Sequence, residues 1–127
     1  MNLVLVGMNH RTAPVEVRER LNIHESRLRE AVADLVQREG ILEGMILSTC
    51  NRVEVAVAAQ DGIAPDPILR EFLSEVQHCD LSDYEKYLYW RRQQDAVRHI
   101  FRVAASLDSM ILGEPPTTRR YPIQKER

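Results

Sequence analysis

Cysteine is scarce in this chain: Cys50 and Cys79 are the only two among 127 residues, and no Cys-x-x-Cys pair occurs. That scarcity excludes a disulfide framework or a zinc ribbon and points to a reducing compartment, the cytoplasm. Glycine is also sparse. Gly7, Gly40, Gly44, Gly62 and Gly113 nowhere form a Gly-x-Gly-x-x-Gly or phosphate loop, so these residues encode no dinucleotide site. Long hydrophobic runs are missing: the opening run extends only from Leu3 to Val6 with no basic residue before it, too short for a signal peptide or membrane span. Neither charge dominates. Lys+Arg 17 against Asp+Glu 19 gives a formal net charge of -2, so any contact with a polyanion must come from a local patch. The chain has no repeat, heptad array or low-complexity tract, which excludes solenoids and coiled coils. What is present, 44% hydrophobic and 28% charged residues, describes one soluble globular domain.

Along the chain, Leu3 to Val6 is a continuous, β-branched-rich run that reads as a buried strand ending near Gly7 and Asn9-His10. Pro14 suits the first turn of a short helix running to about Leu21. Between Ser26 and Glu39, Leu28, Ala31, Val32, Leu35 and Val36 lie on one helical face, with Gly40 placed to stop it. Met45-Ile46-Leu47 and the alternating Val53, Val55, Val57 predict two strands joined by a tight turn around Cys50-Asn51. After Asp61-Gly62 and Pro65-Asp66-Pro67, the stripe Ile68, Leu69, Phe72, Leu73, Val76 predicts another helix, closed by a loop at His78-Cys79-Asp80. Tyr87 to Trp90 is a short aromatic strand candidate. From Asp95, the residues Ala96, Val97, Ile100, Ala104 and Leu107 trace one face of a last helix, and His99, Arg102 and Ser106 another. The order predicts an α+β fold, a split βαββαβ (ferredoxin-like) antiparallel sheet with helices on one face, followed by a helical extension.

Cys50 falls at a turn between two strands, which puts a thiol at the sheet rim, with Thr49, Asn51 and Arg52 beside it. A nearby guanidinium favours the nucleophilic thiolate, so the placement suits covalent catalysis, although a small packed cysteine would give the same pattern. Candidate acid or base partners are His10, His24, His78 and His99, and the residues alone do not choose among them. His24 reads as a surface residue at a helix start, whereas His10 and His99 could each approach the Cys50 turn. His78 and Cys79 are adjacent without two further ligands at suitable spacing, which argues against a metal site. Trp90-Arg91-Arg92 and the terminal Arg119, Arg120, Lys125 and Arg127 could grip phosphates. For the terminal residues a loose basic tail is the simpler reading.

Four stretches together resemble the N-terminal catalytic domain of the glutamyl-tRNA reductase family: Gly7 to Pro14 (GMNHRTAP), Leu47 to Glu54 (LSTCNRVE), Asp95 to His99 (DAVRH), and Ser106 to Pro115 (SLDSMILGEP). The resemblance implies that Cys50 attacks the ester carbonyl of glutamyl-tRNA and holds the glutamyl group as a thioester. NADPH then reduces it to glutamate-1-semialdehyde, a precursor of tetrapyrroles. It further implies that Arg52 pairs with the glutamate side-chain carboxylate, that Thr49 and Ser109 hydrogen-bond the glutamyl group, and that His99 assists at the reacting centre. Ten residues of continuous helix would separate His99 and Ser109 by about 15 Å. The expectation is therefore that the helix bends or ends between Ser106 and Ser109.

The resemblance covers residues 1–115. In the family, Gly-Glu-Pro is followed by Gln and by a segment leading to an NADPH-binding domain and a helical dimerisation domain; here Pro116-Thr117-Thr118 follows. Residues 116–127 are thus expected to be a divergent basic tail, left by a truncation or a shifted reading frame. The expected chain is a monomer that binds no NADPH alone, takes glutamyl-tRNA as substrate, and has glutamate-1-semialdehyde aminotransferase as the family-implied partner. The alternative is a catalytically inactive module that binds glutamyl-tRNA.

Overall fold

The computed structural model describes residues 1–113, with side chains described through Ser106. The elements run β1 (Asn2–Asn9), α1 (Val15–Leu21), α2 (Glu25–Gln37), β2 (Ile41–Ser48), β3 (Arg52–Ala59), α3 (Pro65–Gln77), a 3₁₀ helix (Leu81–Tyr87), β4 (Tyr89–Arg92) and α4 (Gln93–Gly113). The four strands form one antiparallel sheet in the order β2-β3-β1-β4, the ferredoxin-like arrangement expected from the sequence. No described helix is long and apolar enough to cross a membrane.

Strand alternation divides the sheet into two buried faces. Val4, Val6 and Met8 of β1 and Val53, Val55, Val57 and Ala59 of β3 point into the larger core, where they meet Leu21, Ile23, Ala31, Leu35, Leu69, Phe72, Leu73 and Leu81. The intervening residues Leu5 and Ala56 meet Ala96 of α4 on the other face, with Leu3, Tyr89 and Ile100 packed around them. The first three helices therefore cover one face and the helical extension covers the opposite one. β3 is buried on both faces beyond Arg52, which is why Val53–Ala59 reads as hydrophobic throughout apart from Glu54.

α4 reaches the second face without a loop. β4 ends at Arg92 and α4 begins at Gln93, whose φ of 51° lies in the left-handed region. That conformation is uncommon for a non-glycine residue and persists where the surroundings hold it. Here the Gln93 side chain accepts from the Leu3 backbone N–H at 3.0 Å and donates to Asn2 Oδ1 at 3.1 Å. The reversal is thereby tied to the start of β1.

Several expectations are corrected. Buried Ala96, His99 and Val103, with half-buried Ile100, form the inward face of α4, whereas Val97 and Ala104 are exposed. Grouping His99 with Arg102 and Ser106 implies a polar face, but its spacing of three from Ala96 turns it inward. The helix does not end between Ser106 and Ser109 but runs to Gly113. α2 ends at Gln37, with Arg38 already extended, rather than at Gly40, whose φ of 89° serves the turn into β2. The 3₁₀ helix has no counterpart in the sequence reading; its capping residue Asp80 accepts from Ser82 N–H at 3.0 Å. The Ser109 side chain and the expected tail at 116–127 lie outside the described residues.

Candidate functional site

The site is built on two turns at one end of the sheet. In the first, after β1, Asn9 Oδ1 accepts from the backbone N–H groups of Arg11 (2.8 Å) and Thr12 (3.2 Å), and Thr12 Oγ1 accepts from Asn9 N–H at 3.0 Å. This self-closed turn is the local reason for the Asn-His-Arg-Thr run. It leaves His10 exposed at the tip.

The second turn joins β2 to β3 and carries Cys50. Thr49 Oγ1 accepts from Asn51 N–H (3.1 Å) and Arg52 N–H (3.2 Å), and Thr49 N–H donates to the Arg52 carbonyl at 2.8 Å. A hydroxyl accepts two hydrogen bonds and donates one, so with both accepted bonds filled Thr49 retains its proton for donation. Ser48 Oγ accepts from Asn22 Nδ2 (3.0 Å) and Ile23 N–H (2.9 Å), anchoring the strand end to the α1–α2 link. Arg18 joins the two turns, donating from Nε to the Ala13 carbonyl at 3.2 Å and from a terminal nitrogen to the Cys50 carbonyl at 3.0 Å. The Cys50 backbone is pinned while its side chain is exposed. Cys79, by contrast, is half-buried, and burial pushes its thiol up from the ordinary value. Exposure thus separates the two cysteines.

Beside this turn, on the face covered by α4, lies a buried carboxylate. Glu54 is 2% exposed, and one of its oxygens, Oε2, accepts from Arg52 at 3.0 Å, lies 2.5 Å from His99 Nε2, and accepts from the Tyr89 hydroxyl. A carboxylate taken from water needs such partners, because an unpaired buried charge is costly. An ionised carboxylate only accepts, so the hydrogen shared with Glu54 sits on His99 Nε2. Burial, reinforced by Glu54, pushes the Tyr89 hydroxyl well above the ordinary tyrosine range, so Tyr89 serves as a fixed donor.

Gly7 makes room for this cluster. It pairs with Glu54 on one side and Tyr89 on the other, and a Cβ there would lie 2.7 Å from Glu54 Cγ and 2.8 Å from the Val53 carbonyl oxygen. The glycine is required by close approach rather than by a special φ.

The structure brings together Thr49, Cys50 and Arg52 on one turn, and Arg52 with His99 through Glu54. Cys50 makes no described hydrogen bond with either His10 or His99. The arginine touching Cys50 is Arg18, while Arg52 turns along β3 towards Glu54. Arg18, Glu54 and Tyr89 do not stand out in the sequence as site residues; only Glu54 leaves a signal, as the one charge inside the apolar run Val53–Ala58.

Comparison with known proteins bears on this arrangement. A model of the family described as "Glutamyl-tRNAGlu reductase, N-terminal domain" matches residues 6–118. The chain belongs to this family. Among curated relatives, Glutamyl-tRNA reductase 2 of Koribacter versatilis (strain Ellin345) is 55% identical over 115 residues, covering 91% of this chain and 26% of the relative. Glutamyl-tRNA reductase of Solibacter usitatus (strain Ellin6076) is 48% identical, covering 91% and 27%. The solved structure of glutamyl-tRNA reductase from Methanopyrus kandleri matches with a TM-score of 0.58 and 35% identity, covering 88% of this chain and 24% of that one. The chain thus spans about a quarter of the length of these family members.

Proposed function

We propose that this domain performs the acyl-transfer half of glutamyl-tRNA reduction. The Cys50 sulfur attacks the ester carbonyl carbon of glutamyl-tRNA, a C–S bond forms, and the C–O bond to the terminal ribose breaks. The ribose hydroxyl leaves with a proton, and the glutamyl group remains as a thioester on Cys50. The observation that carries this reading is the exposed thiol on a pinned turn, flanked by two groups able to hold a glutamyl moiety. Thr49 has its hydroxyl proton to donate, and Arg52, which spends a hydrogen bond on Glu54, keeps further guanidinium donors in a planar fork suited to a carboxylate.

His99, oriented by Glu54, supplies the acid-base group, and Ser109 a further hydroxyl. Cys50 on the turn and Glu54 in β3 are four residues apart, at most about 14 Å even for fully extended chain, with Arg52 between them. The substrate is thus the bridge between thiol and histidine.

NADPH is the reductant that the family implies, but the described residues do not fit it. Gly7 and Gly44 lie within strands, and Gly40 and Gly62 lie in turns that open no glycine-rich phosphate loop. No reductive step is therefore assigned to residues of this domain. In the whole protein the thioester would be reduced to glutamate-1-semialdehyde for an aminotransferase to accept.

The test is to incubate the chain with glutamyl-tRNA and measure its mass. A gain of one glutamyl group on the Cys50 peptide, removed by hydroxylamine and missing in Cys50→Ser, is expected. Slow release of glutamate without semialdehyde should accompany it. Binding of the tRNA with no adduct and no ester cleavage would overturn the thioester and leave an inactive binding module.

A further inference from the structure

A groove of 480 Å³ opens between β4 and α4, lined by Trp90, Arg91, Arg92, Asp95, Arg98, His99 and Arg102. Four of these are arginines in a chain whose formal net charge is -2, so cationic charge is concentrated locally here. Arg92 is neutralised by a two-point ion pair with Asp66. The other three stay available. Arg91 is held flat by its hydrogen bond to the Trp90 carbonyl at 3.0 Å and by stacking 4.9 Å over the Tyr89 ring. Arg98 pairs with Asp95 in an exposed contact of the kind that is worth little and exchanges readily for another anion. Arg102, one turn further along α4, is exposed and has no ion-pair partner among the described residues. Arg98 and Arg102 are four apart and share a face of α4, with Arg91 across the groove.

We propose that this groove is the RNA docking surface of the domain, in which Arg91, Arg98 and Arg102 bind consecutive phosphates near the acceptor end of tRNA. This deepens the reading above and rests on it for the identity of the nucleic acid. Three observations favour RNA. Guanidinium groups on both walls match phosphate oxygens, and the open groove lies along β4 at the edge of the sheet, where a chain can pass through. His99 contributes to the groove lining and also belongs to the Glu54 cluster, so RNA seated there delivers its acylated end to the residues already described.

The experiment measures binding of a fluorescent, uncharged RNA acceptor-stem hairpin with an unpaired CCA end. The proteins compared are the parent chain, the exposed pair R98A/R102A, the triple variant R91A/R98A/R102A, the lysine triple R91K/R98K/R102K, and R29A on the far side of the sheet. Affinity should fall at least tenfold in the triple variant and by an intermediate factor in the pair. The dependence of log affinity on log salt should flatten by about one for each arginine–phosphate pairing that a variant removes. The lysine triple should keep most of the affinity, and R29A should change it less than about twofold.

Unchanged affinity and salt slope in the pair, which is exposed and leaves the core untouched, would overturn the proposal. So would displacement of the hairpin by NADPH, or by polyglutamate at equal charge, which would point to a nucleotide or an acidic protein segment. Acylation of Cys50 by a small activated glutamyl ester, measured in parallel, needs no RNA. Its persistence in the arginine variants separates a failure of the groove from a failure of the thioester reading.

Discussion

Gly7 and Glu54 are coupled residues, since the missing side chain of one is the space occupied by the other. Gly7→Ala should destabilise the fold by about 1–3 kcal/mol, the usual range for overpacking a site that cannot relax, because one of the atoms it meets is backbone. Denaturant unfolding checks this value. In a Glu54→Ala background the penalty of Gly7→Ala should shrink, since the nearer of the two clashing atoms is gone; equal penalties in both backgrounds would contradict the coupling. At this scale the sequence was legible in part. A lone carboxylate in the run Val53–Ala58 is visible as an anomaly, but its partners Tyr89 and His99 lie 35 and 45 positions away, and no local pattern connects them. The same limit hid Arg18, whose bond to the Cys50 carbonyl crosses 32 positions.

Among the elements, α4 carries both a packing task and a chemical one. Its approach to the sheet depends on small side chains, with Ala96 fully buried against Leu5 and Ala56. Ala96→Leu should cost about 1–3 kcal/mol by forcing the helix outward. It should also lower the rate of Cys50 acylation by glutamyl-tRNA, because the same displacement pulls His99 from Glu54. Ser106→Ala, an exposed change on the same helix, should stay within about 0.5 kcal/mol of the parent and leave acylation unchanged. The existence of α4 could be read from its apolar period, whereas its orientation could not. Val97 and Ala104 fit the period as well as Val103 does, and a face chosen by apolar residues alone excludes a histidine whose burial is stabilised by a carboxylate on β3.

For the whole molecule, the ion pair between Asp66 and Arg92 ties the first turn of α3 to the edge strand β4. Its hydrogen bond to Arg92 holds the Asp66 carboxyl below the usual carboxylate range, against the opposing effect of partial burial. A depressed folded-state value means that the pair stabilises the fold above the unfolded-state pKa of about 3.9 and ceases to do so as pH falls through the folded value. Asp66→Asn should therefore reduce stability by about 0.5–1 kcal/mol at neutral pH, discounted for exposure, and the gap from the parent should close in acid. Unfolding curves at neutral pH and near pH 3 would check both the size and the sign.

The sequence by itself determined the strands and α-helices, though not the 3₁₀ helix, together with the fold class and the turn that carries Cys50, because hydrophobic period, turn residues and glycine placement act over a few residues. Tertiary structure alone decided which face α4 covers, which groups surround Glu54, and that Arg91, Arg98 and Arg102 share one groove. Those outcomes depend on strand pairing and on the reversal at Gln93, which bring together charges that are distant in the chain and leave a buried carboxylate to select its partners.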